Sequence, residues 1–414
     1  MEQRVVLHSD LNNCYASIEC MLQPALKNKR IAVCGSVDDR HGIVLAKNQE
    51  AKKFGVKTGM AIWQAKQVCP DLTIVPPQMD QYMKFSKIVR EIYLRYSPEV
   101  EAFGIDESWI ELTGSPLLRK KTSLDIANEI RETVKREVGL TVSIGVSFNK
   151  IFAKLGSDMK KPDAVTCIPR KQFREIVWPL PVEDLLYVGR STAEKLHRRE
   201  IRTIGDLAQG DLKSLEYLLG KNGAMLWAFA NGMDTSRVMP CDYQVPIKTI
   251  GHGITCVADL TSVDEVQRVF MQLSQEVGLK LRKHRLAATG VQISVRDNQL
   301  SARGYQCKLP YPTQSYTEIW KSGLQLFRDK HHWSNDIRSL TIRAIDLVPA
   351  SEGIQLDLWN DYSQHERQLI IEKTMDDLRR RFGTRIINYA ALTRNMKLPG
   401  TFYESHKMPS PMYR

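Results

Sequence analysis

Phe103-Gly-Ile-Asp-Glu-Ser-Trp-Ile-Glu-Leu112 is the stretch on which the fold turns. Two adjacent carboxylates, Asp106 and Glu107, interrupt a run whose flanks alternate as strands do, with Val100 and Ala102 before them and Trp109 and Glu111 after. The acids therefore lie at or near a tight connection between two strands. Taken alone, the decapeptide reads as an ordinary polar hairpin turn.

Reading outward changes that. Residues 4–9 read as a strand ending at Asp10, followed by a helix over about 13–22 and an insert reaching about Met79. Tyr82, Phe85, Ile88, Val89 and Ile92 recur at three- and four-residue spacing and predict a helix. After the two strands come a helix (124–138), a strand (140–148) and a helix (149–159). With the insert set aside, the order is β-α-β-β-α-β-α, which predicts a ferredoxin-like sheet with one helical face. In that fold the first strand lies near the turn between the next two, so Asp10 is expected to face Asp106 and Glu107. Three converging carboxylates are a different proposition from two in a turn.

Residues 171–238 read as mostly helical, and Ser191-x-x-Glu194 after Gly189 predicts a capping box. Pro240 and Pro246 mark 239–247 as a linker. Residues 248–351 alternate strands and helices, and the tail contains a helix predicted over 369–382. No internal repeat interrupts this plan.

A chain of 414 residues exceeds one ordinary core, so two to four domains are expected. Hydrophobic residues at 43% with 26% charged describe a globular, non-disordered chain. No apolar run approaches the ~20 residues that cross a bilayer, and an acid as early as Asp10 argues against a secretory signal. Eight scattered cysteines without a C-x-x-C pair suit reduced thiols in the cytoplasm, and neither a zinc site nor a disulfide framework. The net charge of +12 points to a polyanionic partner. Residues 248–351 carry fourteen Lys and Arg against nine Asp and Glu, with a cluster at Lys280-Leu-Arg-Lys-His-Arg285. Nucleic acid is the expected partner, since each neutralised phosphate releases counterions.

Three segments together, Ser9-Asp-Leu-Asn-Asn-Cys-Tyr-Ala-Ser-Ile-Glu19, Ile105-Asp-Glu-Ser108 and Ala153-Lys-Leu-Gly-Ser-Asp-Met-Lys-Lys-Pro162, resemble the Y-family (DinB/UmuC-type) translesion DNA polymerases of bacteria. The resemblance runs in order over residues 4–385. It implies an α+β multidomain right hand: a ferredoxin-like palm (1–20 and 80–168), small fingers (21–79), a helical thumb (169–238), the linker (239–247), a β-sheet little finger (248–351) and a tail (352–414). Palm, fingers, thumb and little finger would consume the chain and leave no room for a proofreading exonuclease.

The resemblance also assigns roles. Phosphoryl transfer to a primer 3′-oxygen uses two hard cations, and magnesium takes oxygen ligands from a few carboxylates. Asp10 and Asp106 would bridge two Mg²⁺ ions, Glu107 would hold the one at the primer terminus, and the Leu11 carbonyl would complete the other. Amides near Asn13, Cys14 and Tyr15, at a helix N-terminus, suit the dNTP phosphates. Tyr15 matches the family's steric gate against a 2′-OH. Lys161 and Lys52 would contact the triphosphate, with Gln49 beside them; many members carry Tyr and Arg where this chain has Gln49 and Lys52, and a lysine offers a point charge in place of a planar fork. The segment around Gly189 resembles a helix-hairpin-helix, a sequence-independent phosphate binder, although Gly189-Arg-Ser191 departs from the usual Gly-hydrophobic-Gly hairpin. Gln355-Leu-Asp-Leu-Trp359 resembles a sliding-clamp-binding pentapeptide, with Leu356, Leu358 and Trp359 as apolar anchors and Gln355 at the pocket rim.

The expected protein is therefore a monomeric, cytoplasmic, error-prone DNA polymerase acting on primer-template DNA and dNTPs, with no membrane association. A nucleotidyl cyclase also joins such a sheet to two metals, but would show a Gly-Gly-Asp/Glu-Glu-Phe turn, absent here. A catalytically dead DNA- or clamp-binding scaffold would have lost one of Asp10, Asp106 and Glu107, and all three are present.

Overall fold

β1 (Val6–Leu11) is the central strand of the first sheet and carries Asp10 one residue before its end. The structure is a computed structural model that describes residues 4–36, 42–352, 362–384, 386–393 and 397–399. These form two compact units, one ending at Gln244 and the other beginning at Val245.

In the first unit β1 leads into α1 (Cys14–Leu22), and the insert contributes β2 (Ile31–Cys34), β3 (Val44–Lys47), α2 (Gln49–Lys53), α3 (Ile62–Val68) and β4 (Thr73–Val75). The chain continues through α4 (Met79–Tyr93), β5 (Val100–Phe103), β6 (Glu107–Glu111), α5 (Ser123–Val138), β7 (Val142–Ser147), α6 (Lys150–Met159) and β8 (Val165–Ile168). The sheet order is β5-β6-β1-β7-β8. Its first four strands have the ferredoxin-like order expected, and β8, unanticipated, pairs in parallel with β7. The insert makes a separate three-stranded sheet, β3-β2-β4, with its own core of Ala32, Val44, Ala51, Ile62 and Ala65.

The single helical face expected from sequence is corrected to two. Leu7, Leu11, Ile110, Ile144 and Val146 point to one face and join Ile18, Tyr82, Ile92 and Ile130 of α1, α4 and α5 in the main core. The odd-even alternation sends Val6, His8, Asp10 and Trp109 to the other face, against α6. Gly145 makes this seat possible, because a Cβ there would fall 1.9 Å from the Ala153 carbonyl oxygen. Asn149 caps α6, accepting from the Phe152 amide at 2.8 Å.

The outer side of α6 (Phe152, Leu155) joins the core of a helical segment, α7 (Phe173–Val177), α8 (Arg190–His197), α9 (Ile204–Gln209), α10 (Leu212–Leu219) and α11 (Lys221–Ala230). The capping box predicted at Ser191 and Glu194 does not form. Gly189 occupies the N-cap of α8 without a side-chain cap, and Glu194 instead accepts from Arg190 Nε at 3.0 Å. A capping box does open α9, from Thr203 and Asp206.

The second unit contains β9 (Ile250–Leu260), α12 (Val263–His284), β10 (Leu286–Asp297), β11 (Ala302–Thr313), α13 (Tyr316–Lys330), β12 (Ile337–Pro349) and α14 (Tyr362–Phe382). The strands form an antiparallel sheet ordered β11-β10-β12-β9, with α12 and α13 packed on one face over Val291, Ile293, Leu340 and Ile342. Helix α14 begins well before the predicted 369, with His365 Nδ1 2.8 Å from Glu318 Oε1 in its added turns, and further along it carries the buried Glu372. Its carboxylate accepts from the amides of Tyr316 (2.9 Å) and Thr317 (3.0 Å) and from Ser315 Oγ (2.8 Å), so α14 caps the start of α13. Arg282, within the basic cluster expected to meet nucleic acid, turns inward to Glu372 and Asp376. The pentapeptide at 355–359 lies outside the described residues. Among the described residues no helix is long and apolar enough to cross a membrane.

Candidate active site

The β1–β6 ladder sets Asp10 directly opposite Glu107. Asp106 sits in the turn just before β6, which Gly104 enables at φ +81°, and its carbonyl accepts from the Leu11 amide at 3.0 Å. The three acids are thus brought together by two adjacent antiparallel strands and one turn. Antiparallel register, not loop flexibility, fixes their spacing.

Helix α6 adds a cation that sequence reading had left without a role, Lys154, and leads into Lys161, expected from sequence to contact the triphosphate. Lys154 Nζ lies 2.6 Å from Glu107 Oε2, and Lys161 Nζ, just beyond the helix, lies 2.7 Å from Asp10 Oδ2 and 2.8 Å from Asp158 Oδ1. His8, fully buried two residues before Asp10, places Nε2 3.3 Å from the same Glu107 oxygen, while its Nδ1 shares a 2.8 Å hydrogen bond with Ser157 Oγ. The loop carrying Lys161 is pinned to the end of β1: the Asp163 amide donates to Asn12 Oδ1 at 2.8 Å, and Arg131 pairs with the Asp163 carboxylate at 2.7 Å.

Electrostatics separates the acids. Burial, partly offset by Lys161 and reinforced by Glu107, pushes the Asp10 carboxyl up to about 7. Burial and the Glu107 charge raise Asp106 to about 6. Burial would raise Glu107 too, but hydrogen bonds and charge from His8 and Lys154 hold it down at about 2. A site in which neighbouring carboxylates resist ionisation is one that added positive charge would relieve. All its donors are hard oxygens, which fits a magnesium-type ion. Among the described residues no three His, Cys, Asp or Glu side chains close around one point; Asp10 and Glu107 are paired with Lys161 and Lys154.

Tyr15 and Cys14 open α1 beside Asp106. Burial, then the Asp106 charge, raises the Tyr15 hydroxyl to about 12, and the same forces push the Cys14 thiol well above its ordinary range, which leaves it unreactive. Asn13 takes the N-cap in a left-handed conformation (φ 49°) and makes no side-chain cap, so the first-turn amides of α1 have no acceptor within their own helix. Lys52 lies on α2, and through Lys47 it belongs to the same field: burial lowers the Lys47 ammonium, and Lys52 and Lys161 lower it further. Lys47 was missed in the sequence although it precedes Gln49 and Lys52 in the same motif. Gln49 opens α2, and among the described residues no hydrogen bond or ion pair ties it to the acids.

The chain is similar to known proteins along most of its length. Residues 9–158 match the impB/mucB/samB family, residues 247–358 its C-terminal domain, and residues 183–234 a thumb domain described as that of DNA polymerase-iota. The chain is 48% identical to a DNA polymerase IV of Acetivibrio thermocellus, over 92% of this chain and 95% of that one. It is 36% identical to DNA polymerase IV 1 of Bacillus subtilis, over 94% and 93% of the two chains. A solved Y-family DNA polymerase chimera shares the fold with a TM-score of 0.74 at 22% identity, covering 83% of this chain and 99% of that one.

Proposed function

The chain belongs to the impB/mucB/samB family of Y-family DNA polymerases, and on that premise we propose that it is an error-prone, template-directed DNA polymerase that performs translesion synthesis without proofreading. The observation that carries the reading is the β1–β6 register, which sets Asp10 against Glu107 with Asp106 in the adjoining turn. Membership implies dependence on a divalent metal; the finer proposal is two Mg²⁺ ions, held by Asp10, Asp106, Glu107 and the Leu11 carbonyl. When bound, such ions ease deprotonation of the primer 3′-OH and neutralise charge growing on the triphosphate.

The chain's own residues do the rest. Glu107, kept ionised by His8 and Lys154, is ready to hold positive charge at the primer end. Lys161, Lys52 and Lys47 and the first-turn amides of α1 receive the phosphates of the dNTP. Tyr15 lies beneath the sugar and excludes a 2′-OH. The open face of the second unit's sheet suits the duplex: Gln292, Ser294 and Arg296 on β10, Thr341 and Arg343 on β12, and Gln306 and Lys308 on β11 alternate with the core positions and include no acid. A sliding clamp is proposed as partner of the Gln355–Trp359 pentapeptide, and the enzyme is proposed to act as a cytoplasmic monomer.

Primer extension with dNTPs and Mg²⁺ tests the proposal. The parent protein extends a primed template and Asp106→Ala abolishes extension while DNA binding persists; a parent without incorporation ends the polymerase reading. Changing Leu358 and Trp359 to Ala weakens clamp-stimulated synthesis but spares basal activity. Equal stimulation of both proteins removes the clamp assignment.

A further inference from the structure

Glu19 lies in α1 one turn beyond Tyr15 and is fully buried. Its Oε1 accepts from the Tyr82 hydroxyl at 2.5 Å and its Oε2 from Gln78 Nε2 at 2.8 Å. Tyr82 in turn lies flat against Tyr15, with ring centroids 4.3 Å apart and planes 9° from parallel. Among the described residues no cation pairs with Glu19. A buried carboxylate is costly unless it is hydrogen-bonded, and a purely packing role is met more stably by an apolar side chain. Gln78 stands at the N-cap of α4, yet its side chain caps nothing there, because its amide is directed to Glu19.

We infer that Glu19 is a positioning residue for sugar selection: through Tyr82 it holds the ring of Tyr15 at the depth that shuts out a ribose. The inference rests on the reading of Tyr15 as the sugar gate. A ring that discriminates by overlap with one hydroxyl works only at a fixed depth, since repulsion rises steeply over fractions of an ångström. Tyr15 has two side-chain torsions, and the stacked Tyr82 ring restricts both. Tyr82 is packed in the main core, and the hydrogen bond from its hydroxyl to Glu19 fixes how far along the stack its ring sits. The hydrogen bond makes the gate's back wall rigid without touching nucleotide.

The test is single-nucleotide insertion with matched dNTP and rNTP by the full chain, read as the ratio of kcat/KM values. This ratio is internal to the folded fraction and so is insensitive to partial unfolding. Glu19→Ala lowers discrimination by about tenfold and Tyr82→Phe by about threefold, in line with the cost of sub-ångström misplacement of a positioning group. Insertion of dNTP stays within about threefold in both. Glu19→Gln, which still accepts from Gln78 through its carbonyl and donates to Tyr82 through its amide, keeps the parent ratio within about twofold. Tyr15→Ala is the control for the underlying reading. If Tyr15→Ala admits ribonucleotides while Glu19→Ala and Tyr82→Phe leave the ratio unchanged, the positioning role is wrong and the gate stands. If Tyr15→Ala itself leaves the ratio unchanged, the gate falls and this inference with it. A parallel fall of dNTP and rNTP insertion in Glu19→Ala, with the ratio kept, reduces Glu19 to a tie between α1 and α4.

Discussion

Asp106→Asn should make the metal-free protein more stable while destroying its activity. The Asp106 carboxyl ordinarily ionises at 3.8 and is raised to about 6 in the fold, by burial first and then by the Glu107 charge. The sign follows from linkage. Between those two values the folded state holds a proton that the unfolded chain has lost, so stability falls as pH rises through that window. Above about 6 the penalty is complete. The climb from 3.8 to about 6 corresponds to roughly 3 kcal/mol, at about 1.4 kcal/mol for each tenfold change in proton affinity. An amide of the same shape escapes that penalty. Calorimetry of EDTA-treated protein at pH 7.5 should therefore show the first unit of the Asn variant melting about 6–12 °C higher, at roughly 2–4 °C per kcal/mol for a unit of this size. At pH 4 the gap should shrink to under about 1 kcal/mol, because the parent carboxyl is then protonated in the fold and only partly ionised in the unfolded chain. Added Mg²⁺ should stabilise the parent more than the variant, since a ligand raises stability only of the form that binds it. A variant less stable than the parent at pH 7.5 without metal, or a gap unaltered between pH 7.5 and pH 4, would refute the reasoning.

Three further expectations follow from contacts in the two units. Lys47→Ala should raise the KM for dNTP about tenfold with little change in kcat, consistent with ~1.5–3 kcal/mol for a bond to a charged group; an unchanged KM in steady-state kinetics would place Lys47 outside the phosphate field. Gly145→Ala should destabilise the first unit by more than about 3 kcal/mol, since its methyl would meet the Ala153 carbonyl and α6 would have to lift off; soluble expression with parental melting would contradict that seat. Glu372→Ala should cost the second unit about 3 kcal/mol in urea unfolding, as two amides and a hydroxyl lose their acceptor, and a loss under about 1 kcal/mol would mean that α14 docks by other contacts.

The palm was legible because its periodicities are clean. Alternation around Asp106 and the three- to four-residue spacing from Tyr82 to Ile92 each favour one element type, and their order admits few topologies. What stayed hidden depended on contacts between distant residues. His8 and Lys154 look like an ordinary strand histidine and helix lysine until the β1 and α6 faces meet. The second helical face was missed because Gly145 signals nothing locally; its meaning lies in a carbonyl on another element. Ser191 and Glu194 had the spacing of a cap, but Arg190 competed for the glutamate and Gly189 took the capping position. Lys280 to Arg285 read as one charged patch, yet Arg282 is drawn inward by two acids nearly a hundred residues later in the chain, which no local pattern reveals.

The tether at Glu19 also closes the neck of the insert. Residue 19 lies near the end of α1, just before the insert, and Gln78 and Tyr82 lie at the start of α4, just after it, so the two ends are fastened to each other whatever lies between them. With a three-stranded sheet and a core of its own, the segment from β2 to β4 behaves as an exchangeable cartridge. Evolution can lengthen it, trim it or swap its contents without reopening the sheet that carries the three acids.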